Sequence, residues 1–201
     1  MGKHIKIWSL VNVDRGSKVR WAATELGYEI EEVRLKYGEH RTDPYRAMNP
    51  YGQVPTAEFD GEIMIESTAI CLALAERHPE AGLIPEDRFL RDEFWQVLNL
   101  AVSTLEIPVV QYALSRMGVI EPAWAELWAG RLTPRLETFA GSVPKEGYFC
   151  GEFTLADICA AYVLRTGVQA ELLPLEGPLA AYLGRLAARP AAKAARFFEG
   201  L

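Results

Sequence analysis

Two short stretches carry residues whose types and spacing suggest chemistry. The first, Asn49-Pro50-Tyr51-Gly52-Gln53-Val54-Pro55, is a turn that ends in an X-Pro step. Pro55 pushes the Val54 backbone out of the helical region and into an extended conformation. The second, Glu66-Ser67, opens a helix whose apolar positions include Ile70, Leu72, Ala73 and Leu74. Between them, Thr56-Ala57-Glu58-Phe59, an Asp60-Gly61 turn and Glu62-Ile63-Met64-Ile65 read as a hairpin. Extended backbone next to a helix start can hold an extended peptide at one end and its carboxylate at the other.

The elements that must position this unit follow from hydrophobic period. Residues 5–11 form a strand-like run of branched and aromatic side chains, broken by Asn12-Val13-Asp14-Arg15-Gly16. Ser17 to Leu26 reads as a helix, with Val19, Ala22, Ala23 and Leu26 on one face and Gly27 as its stop. Tyr28 to Leu35 suits a second strand, and residues 36–47 a polar loop holding a short helix. The series is β-α-β-loop-β-β-α, ending near His78-Pro79.

Pro79 to Asp87 is rich in Pro, Gly and acidic residues and reads as a linker. The expected division is therefore 1–79, a linker at 80–87, and 88–201. Beyond the linker every periodic segment is helical. These are Arg88 to Met117, with Pro108 as an expected kink or break; Ala123 to Phe139, with Trp124, Leu127, Trp128, Leu132 and Leu136; Asp157 to about Glu171; and shorter helices at 179–188 and 191–198. Thr154-Leu155-Ala156-Asp157 has the form of a capping box ahead of the most apolar helix.

Bulk properties exclude several functions. The chain has 201 residues, a net charge of −6 and no dense Lys or Arg run, so nucleic acid and anionic membrane are not expected partners. No uninterrupted apolar stretch reads as long enough to span a bilayer, and Met-Gly-Lys-His-Ile-Lys lacks the apolar core of a signal peptide. A cytoplasmic location is expected. Cys71, Cys150 and Cys159 have no CxxC spacing, which argues against a disulfide framework, a dithiol redox site and a zinc site; no metal is expected.

In order and spacing these pieces resemble the cytosolic glutathione S-transferases. The matching residues are Lys18-Val19-Arg20-Trp21, Glu25-Leu26-Gly27, Gly38-Glu39-His40-Arg41, Asn49-Pro50-x-Gly52-x-Val54-Pro55, Glu66-Ser67, Gly151-x-x-Thr154-x-Ala156-Asp157 and Leu186-Ala187-Ala188-Arg189-Pro190. The resemblance implies an α/β thioredoxin-like N-terminal domain followed by an all-α C-terminal domain. It also implies a cis bond before Pro55 and glutathione as co-substrate. Val54 would pair with the cysteinyl backbone, Gln53, Glu66 and Ser67 would hold the γ-glutamyl end, and His40 would reach the glycine end. A small hydrophobic electrophile would bind between the domains, for which Trp95, Leu105, Tyr112 and Met117 are candidates, and the assembly would be a homodimer.

The segment Ser9 to Ser17 departs from the family pattern, because the positions of the usual tyrosine and serine hold Ser9 and Val13 or Asp14. A thiol of pKa about 8.5 becomes a good nucleophile at neutral pH only when its anion is favoured. Asn12 is the first candidate donor to that anion, since some bacterial relatives use an asparagine amide there. Ser9 is the second, Ser17 a third, and Arg15 offers a positive charge for the thiolate or a carboxylate of the tripeptide. Three functions follow: a glutathione transferase, a glutathione-dependent disulfide reductase or isomerase on the same site, and a non-catalytic scaffold of the same fold.

Overall fold

The computed structural model describes residues 2–121 and 123–201, without the side chains at 124 and 126–128. The expected apolar positions Trp124, Leu127 and Trp128 therefore lie outside the described side chains. The chain forms two compact units, Met1–Ala81 with Arg189–Glu199, and Gly82–Ala188 with Gly200–Leu201. Assigning residues 189–199 to the helical domain is thus corrected: they pack with the first unit.

The first unit is a four-stranded sheet with helices, the thioredoxin-like arrangement. Its strands are β1 (His4–Ser9), β2 (Glu29–Arg34), β3 (Thr56–Phe59) and β4 (Glu62–Ile65), in the order β2-β1-β3-β4. Strand β1 runs parallel to β2, with Ser9 opposite Arg34, and antiparallel to β3, with Trp8 opposite Thr56. Strand β4 is antiparallel to β3, with Ile65 opposite Thr56. Ile5 and Ile7 alternate with the polar His4 and Lys6 and are fully buried, as a half-covered strand requires.

Helix α1 (Gly16–Glu25) buries Val19, Trp21, Ala22 and Ala23, and packs against α3 (Ser67–Glu76). Helix α2 (Tyr45–Met48) is a single turn ahead of β3. Trp21 meets the rings of Phe197 at 4.5 Å and Phe198 at 5.7 Å. Arg189 grips Glu25 with two hydrogen bonds, Nε to Oε1 at 2.7 Å and Nη2 to Oε2 at 3.0 Å. An aromatic cluster and a bidentate ion pair thus tie the C-terminal segment to α1.

The second unit is helical: α4 (Arg88–Asn99), a π-helical segment (Leu100–Glu106), α5 (Ile107–Arg116), α6 (Ala123–Gly141), α7 (Leu155–Gln169) and α8 (Gly177–Ala188). Pro108 neither breaks nor ends the helix. Proline's ring crowds the carbonyl four residues back, and the widened π-turns upstream accommodate it. The helix consequently runs unbroken from Arg88 to Arg116, 29 residues, long and apolar enough to cross a membrane by length and composition. That corrects the expectation that no stretch is long enough. The core helix of a globular unit meets the same criterion. In this helix 28% of the apolar window is buried; Phe94, Leu98, Ala101, Leu105 and Val109 are buried along its length, while Phe89, Leu90, Trp95, Leu100 and Ile107 are exposed.

Helix α7 is the core of this unit, and its capping box forms. Asp157 Oδ2 accepts from the Thr154 N–H at 2.9 Å and the Thr154 hydroxyl at 3.2 Å. Its Oδ1 accepts from the Phe149 N–H at 3.1 Å and the Tyr182 hydroxyl at 2.8 Å. One carboxylate thereby joins the start of α7, the preceding loop and α8. Cys150, beside this knot, is buried, and burial pushes its thiol up to about 11, which keeps it protonated at neutral pH. Asp157→Ala removes the cap and orphans three buried donors. It is expected to cost about 3 kcal/mol of stability, read as a lowered urea midpoint; a loss below about 1 kcal/mol would contradict this role.

Candidate functional site

Strand register brings the chemically interesting residues together. The C-terminal ends of β1 and β2, the start of β3 and the end of β4 all emerge at one end of the sheet, because Ser9 faces Arg34, Trp8 faces Thr56 and Thr56 faces Ile65. The loop after Ser9, Val54-Pro55 before Thr56, and Glu66-Ser67 after Ile65 therefore share that end. Residues 36–41, which follow β2, do so too. A side chain on Gly52 would place its Cβ 3.0 Å from the His40 carbonyl, so the His40 loop lies directly against the Gly52 turn.

The turn before β3 is fixed by its own polar groups. The Gln53 carbonyl accepts from the Tyr45 hydroxyl at 2.5 Å and the Asn49 amide at 2.8 Å. Both groups also reach the Thr56 hydroxyl, at 2.7 Å and 3.2 Å. Asn49 Oδ1 closes the turn by accepting from the Tyr51 N–H. Burial raises the Tyr45 phenol above its ordinary pKa, so it stays a neutral donor. The Val54–Pro55 bond is cis, and Asp43–Pro44, which was not foreseen, is cis as well. Val54 precedes the first ladder pair of β3, which leaves its N–H and C=O outside the sheet register.

Glu66, a non-glycine residue, sits at φ 69° and ψ 106° directly before α3. Such a conformation is costly for a side chain with a Cβ, by about 1–3 kcal/mol, and such strain clusters at ligand-binding sites. It sets Ser67, itself buried, at the first turn of a ten-residue helix, where N–H groups lack helical acceptors. His40 is buried; its Nε2 accepts from Arg41 Nε at 3.2 Å, which assigns the proton to Nδ1. That Nδ1 is buried with no hydrogen-bond partner. Burial, then Arg41, pulls the imidazole pKa down, so it is a neutral donor.

The loop after β1 is held from several sides. Asp14 turns its carboxylate onto the loop's own backbone, accepting from Leu10 N at 2.7 Å, Val11 N at 3.0 Å and Gly16 N at 2.8 Å. A Cβ at Gly16 would lie 2.8 Å from Asp14 Oδ1 and 3.2 Å from Ser9 Cβ, which explains the glycine. Leu10 and Val11, expected as strand, leave β1 because Asp14 takes their N–H groups. Arg20, almost fully buried, donates from Nη1 to Glu32 Oε1 at 2.5 Å and from Nη2 to the Asn12 carbonyl. Burial lowers its pKa, and Glu32 opposes that.

The sequence-derived donors are placed differently from one another. Ser9 is fully buried, its hydroxyl donating to Glu32 at 3.0 Å with Arg20 Nη1 at 3.4 Å, so it belongs to the network under the loop. Ser17 is buried with an unpartnered hydroxyl and does not cap α1, whose N-cap residue is Arg15. Asn12 is half-buried in the loop itself; its Oδ1 accepts from Arg34 at 2.5 Å and its Nδ2 donates to Glu199 at 2.6 Å. Of the acceptor-site candidates, Leu105 is a core residue, Tyr112 half-buried, and Trp95 and Met117 are exposed. Sequence reasoning missed Tyr45, Arg20, Glu32, Arg34 and Glu199; only the Asn49-to-Pro55 turn hinted that a buried partner such as Tyr45 was needed. Among the described residues, no cluster of His, Cys, Asp and Glu could hold a metal ion.

Comparison with known proteins agrees with this arrangement. A family model described as the N-terminal domain of glutathione S-transferase matches residues 15–82. A Zea mays protein named glutathione S-transferase 3 is 30% identical over 180 residues, 83% of this chain and 80% of its own length. A Drosophila melanogaster protein named "Probable maleylacetoacetate isomerase 1" is 29% identical over 165 residues, 78% of this chain; the chain spans 66% of that relative's length. Among solved structures, a theta class glutathione S-transferase from Xanthomonas axonopodis pv. citri, with glutathione bound, superposes with a TM-score of 0.72 at 25% identity, covering 95% of this chain and 96% of the other. The chain belongs to the cytosolic glutathione S-transferase family.

Proposed function

We propose that this protein binds glutathione across the shared strand ends and stabilises its thiolate for attack on a small hydrophobic electrophile. The observation that carries the reading is the convergence of Val54, Glu66-Ser67 and the Asn12 loop at one end of the sheet. The Val54 N–H and C=O pair with the cysteinyl backbone as an added strand. The γ-glutamyl carboxylate sits at the start of α3 on the Ser67 hydroxyl and the free N–H groups, where the helix dipole favours an anion. Gln53 and Glu66 complete the hold on that end, Glu66 facing the ammonium. His40 Nδ1–H, and Arg15, serve the carboxylate of the glycine end.

The chemistry is proximity and anion stabilisation, which the protein's own groups supply. Asn12 Nδ2–H donates to the thiolate, and Asp14, its charge spread over three backbone N–H groups, is kept from opposing that anion. A second reading, glutathione-dependent isomerisation, is supported by the name of the fly relative. There the thiolate adds to a double bond, the single bond rotates, and elimination returns glutathione. A cytoplasmic homodimer is proposed with either reading; Tyr51 in the first unit and Phe89 in the second are 76% and 80% exposed, large apolar side chains that a second copy would cover.

Ser67→Ala is expected to weaken glutathione binding about tenfold or more by calorimetry, the loss of one charge-assisted hydrogen bond. Unchanged affinity would sink the placement of the γ-glutamyl end, and no binding to the unaltered chain would favour the non-catalytic scaffold. Glutathione accounting separates the two chemistries: transfer consumes one thiol per turnover, whereas isomerisation leaves total thiol constant. Light scattering is expected to give twice the 22.4 kDa chain mass, and a monomer at micromolar concentration would refute the dimer.

A further inference from the structure

Asn12 is an amide, and an amide can present either its N–H or its C=O to a thiolate; only the first stabilises the anion. Two side chains of opposite hydrogen-bonding character decide which. Arg34 has donors only, and its Nη2 lies 2.5 Å from Asn12 Oδ1. Glu199 as a carboxylate accepts only, and its Oε2 lies 2.6 Å from Asn12 Nδ2. Reversing the amide would set donor against donor and acceptor against acceptor. The Asn12 main chain is held as well, because Arg20 donates to its carbonyl.

We infer that Arg34 and Glu199 are positioning residues that lock the Asn12 amide with one Nδ2 hydrogen committed to Glu199 and the other left for the thiolate. The inference rests on the role proposed above for Asn12. Arg34 is steadied by Glu32, 2.9 Å away, and lies opposite Ser9 on the edge strand. Glu199 arrives from the far end of the chain, on the segment that Phe197, Phe198 and Arg189 fasten to α1. The C-terminal segment therefore completes the loop that activates the thiol. By drawing on the amide oxygen, Arg34 also polarises the amide and strengthens its N–H as a donor.

Charge alone and positioning make opposite demands on Glu199. Removing a nearby negative charge by itself stabilises a thiolate and lowers the thiol pKa. Loss of positioning raises it. The test is an ultraviolet titration of the thiolate of bound glutathione in the full chain, with steady-state kinetics alongside. Glu199→Ala is expected to raise the bound thiol pKa by about 0.5–1 and to lower kcat/KM at neutral pH about 3–10-fold, with glutathione affinity within about twofold of the original. Glu199→Gln keeps an acceptor for Nδ2 while removing the charge, so it is expected to bring the thiol pKa back to the original value or below it and to restore kcat/KM, and Arg34→Lys to restore more activity than Arg34→Ala. A thiol pKa that falls or stays put in Glu199→Ala, while Asn12→Ala raises it, overturns the positioning role alone. A thiol pKa unmoved by Asn12→Ala overturns the assignment of Asn12 and the inference with it.

Discussion

Much of this site depends on a single buried guanidinium. Arg20 on α1 is 6% exposed, a burial that a charge tolerates only when it is paired and hydrogen-bonded. Its partners are Glu32 on the edge strand, the Ser9 hydroxyl at the end of β1, and the Asn12 carbonyl in the loop. One cation thus fastens a helix, two strands and the loop proposed to carry the thiolate donor. Breaking such a pair from one side costs about 3–5 kcal/mol, so the loop inherits its shape from a strong constraint.

On the other side of the site the constraint is neutral. Tyr45, Asn49, Thr56 and the Gln53 carbonyl share four hydrogen bonds, which determine where Val54 leaves the turn. The two halves differ as their tasks require. A neutral network suits the recognition of a peptide backbone, because it adds no field that would favour the wrong partner. A charged network suits the loop proposed to hold an anion, because its net effect can be tuned by few residues.

How much of this was legible in the sequence depended on whether a residue's role is local. The hairpin, the Val54-Pro55 step, the Ser67 helix start and the Thr154-to-Asp157 box are built from neighbours in the chain, and each was readable from residue order. Roles that depend on distant partners were not. Nothing local in the sequence reveals that Glu32 meets Arg20 or that Asn12 meets Arg34. Ser9 read as a donor because its burial follows from the packing of α1. Residues 189–199 read as part of the helical domain because the aromatic partner of Phe197, Trp21, lies near the other end of the chain. Pro108 read as a kink or break because a π-helical segment has no sequence signature of its own.

On the proposed reading, one end of this sheet holds glutathione with its sulfur at the Asn12 amide. A crystal structure of the chain grown with glutathione tests it most directly. The cysteinyl backbone is expected to pair with Val54, the γ-glutamyl carboxylate to sit on Ser67, and the sulfur to lie within hydrogen-bond reach of Asn12 Nδ2. Glutathione bound with its sulfur directed to another side chain, Asn12 remaining on Arg34 and Glu199 alone, would contradict it.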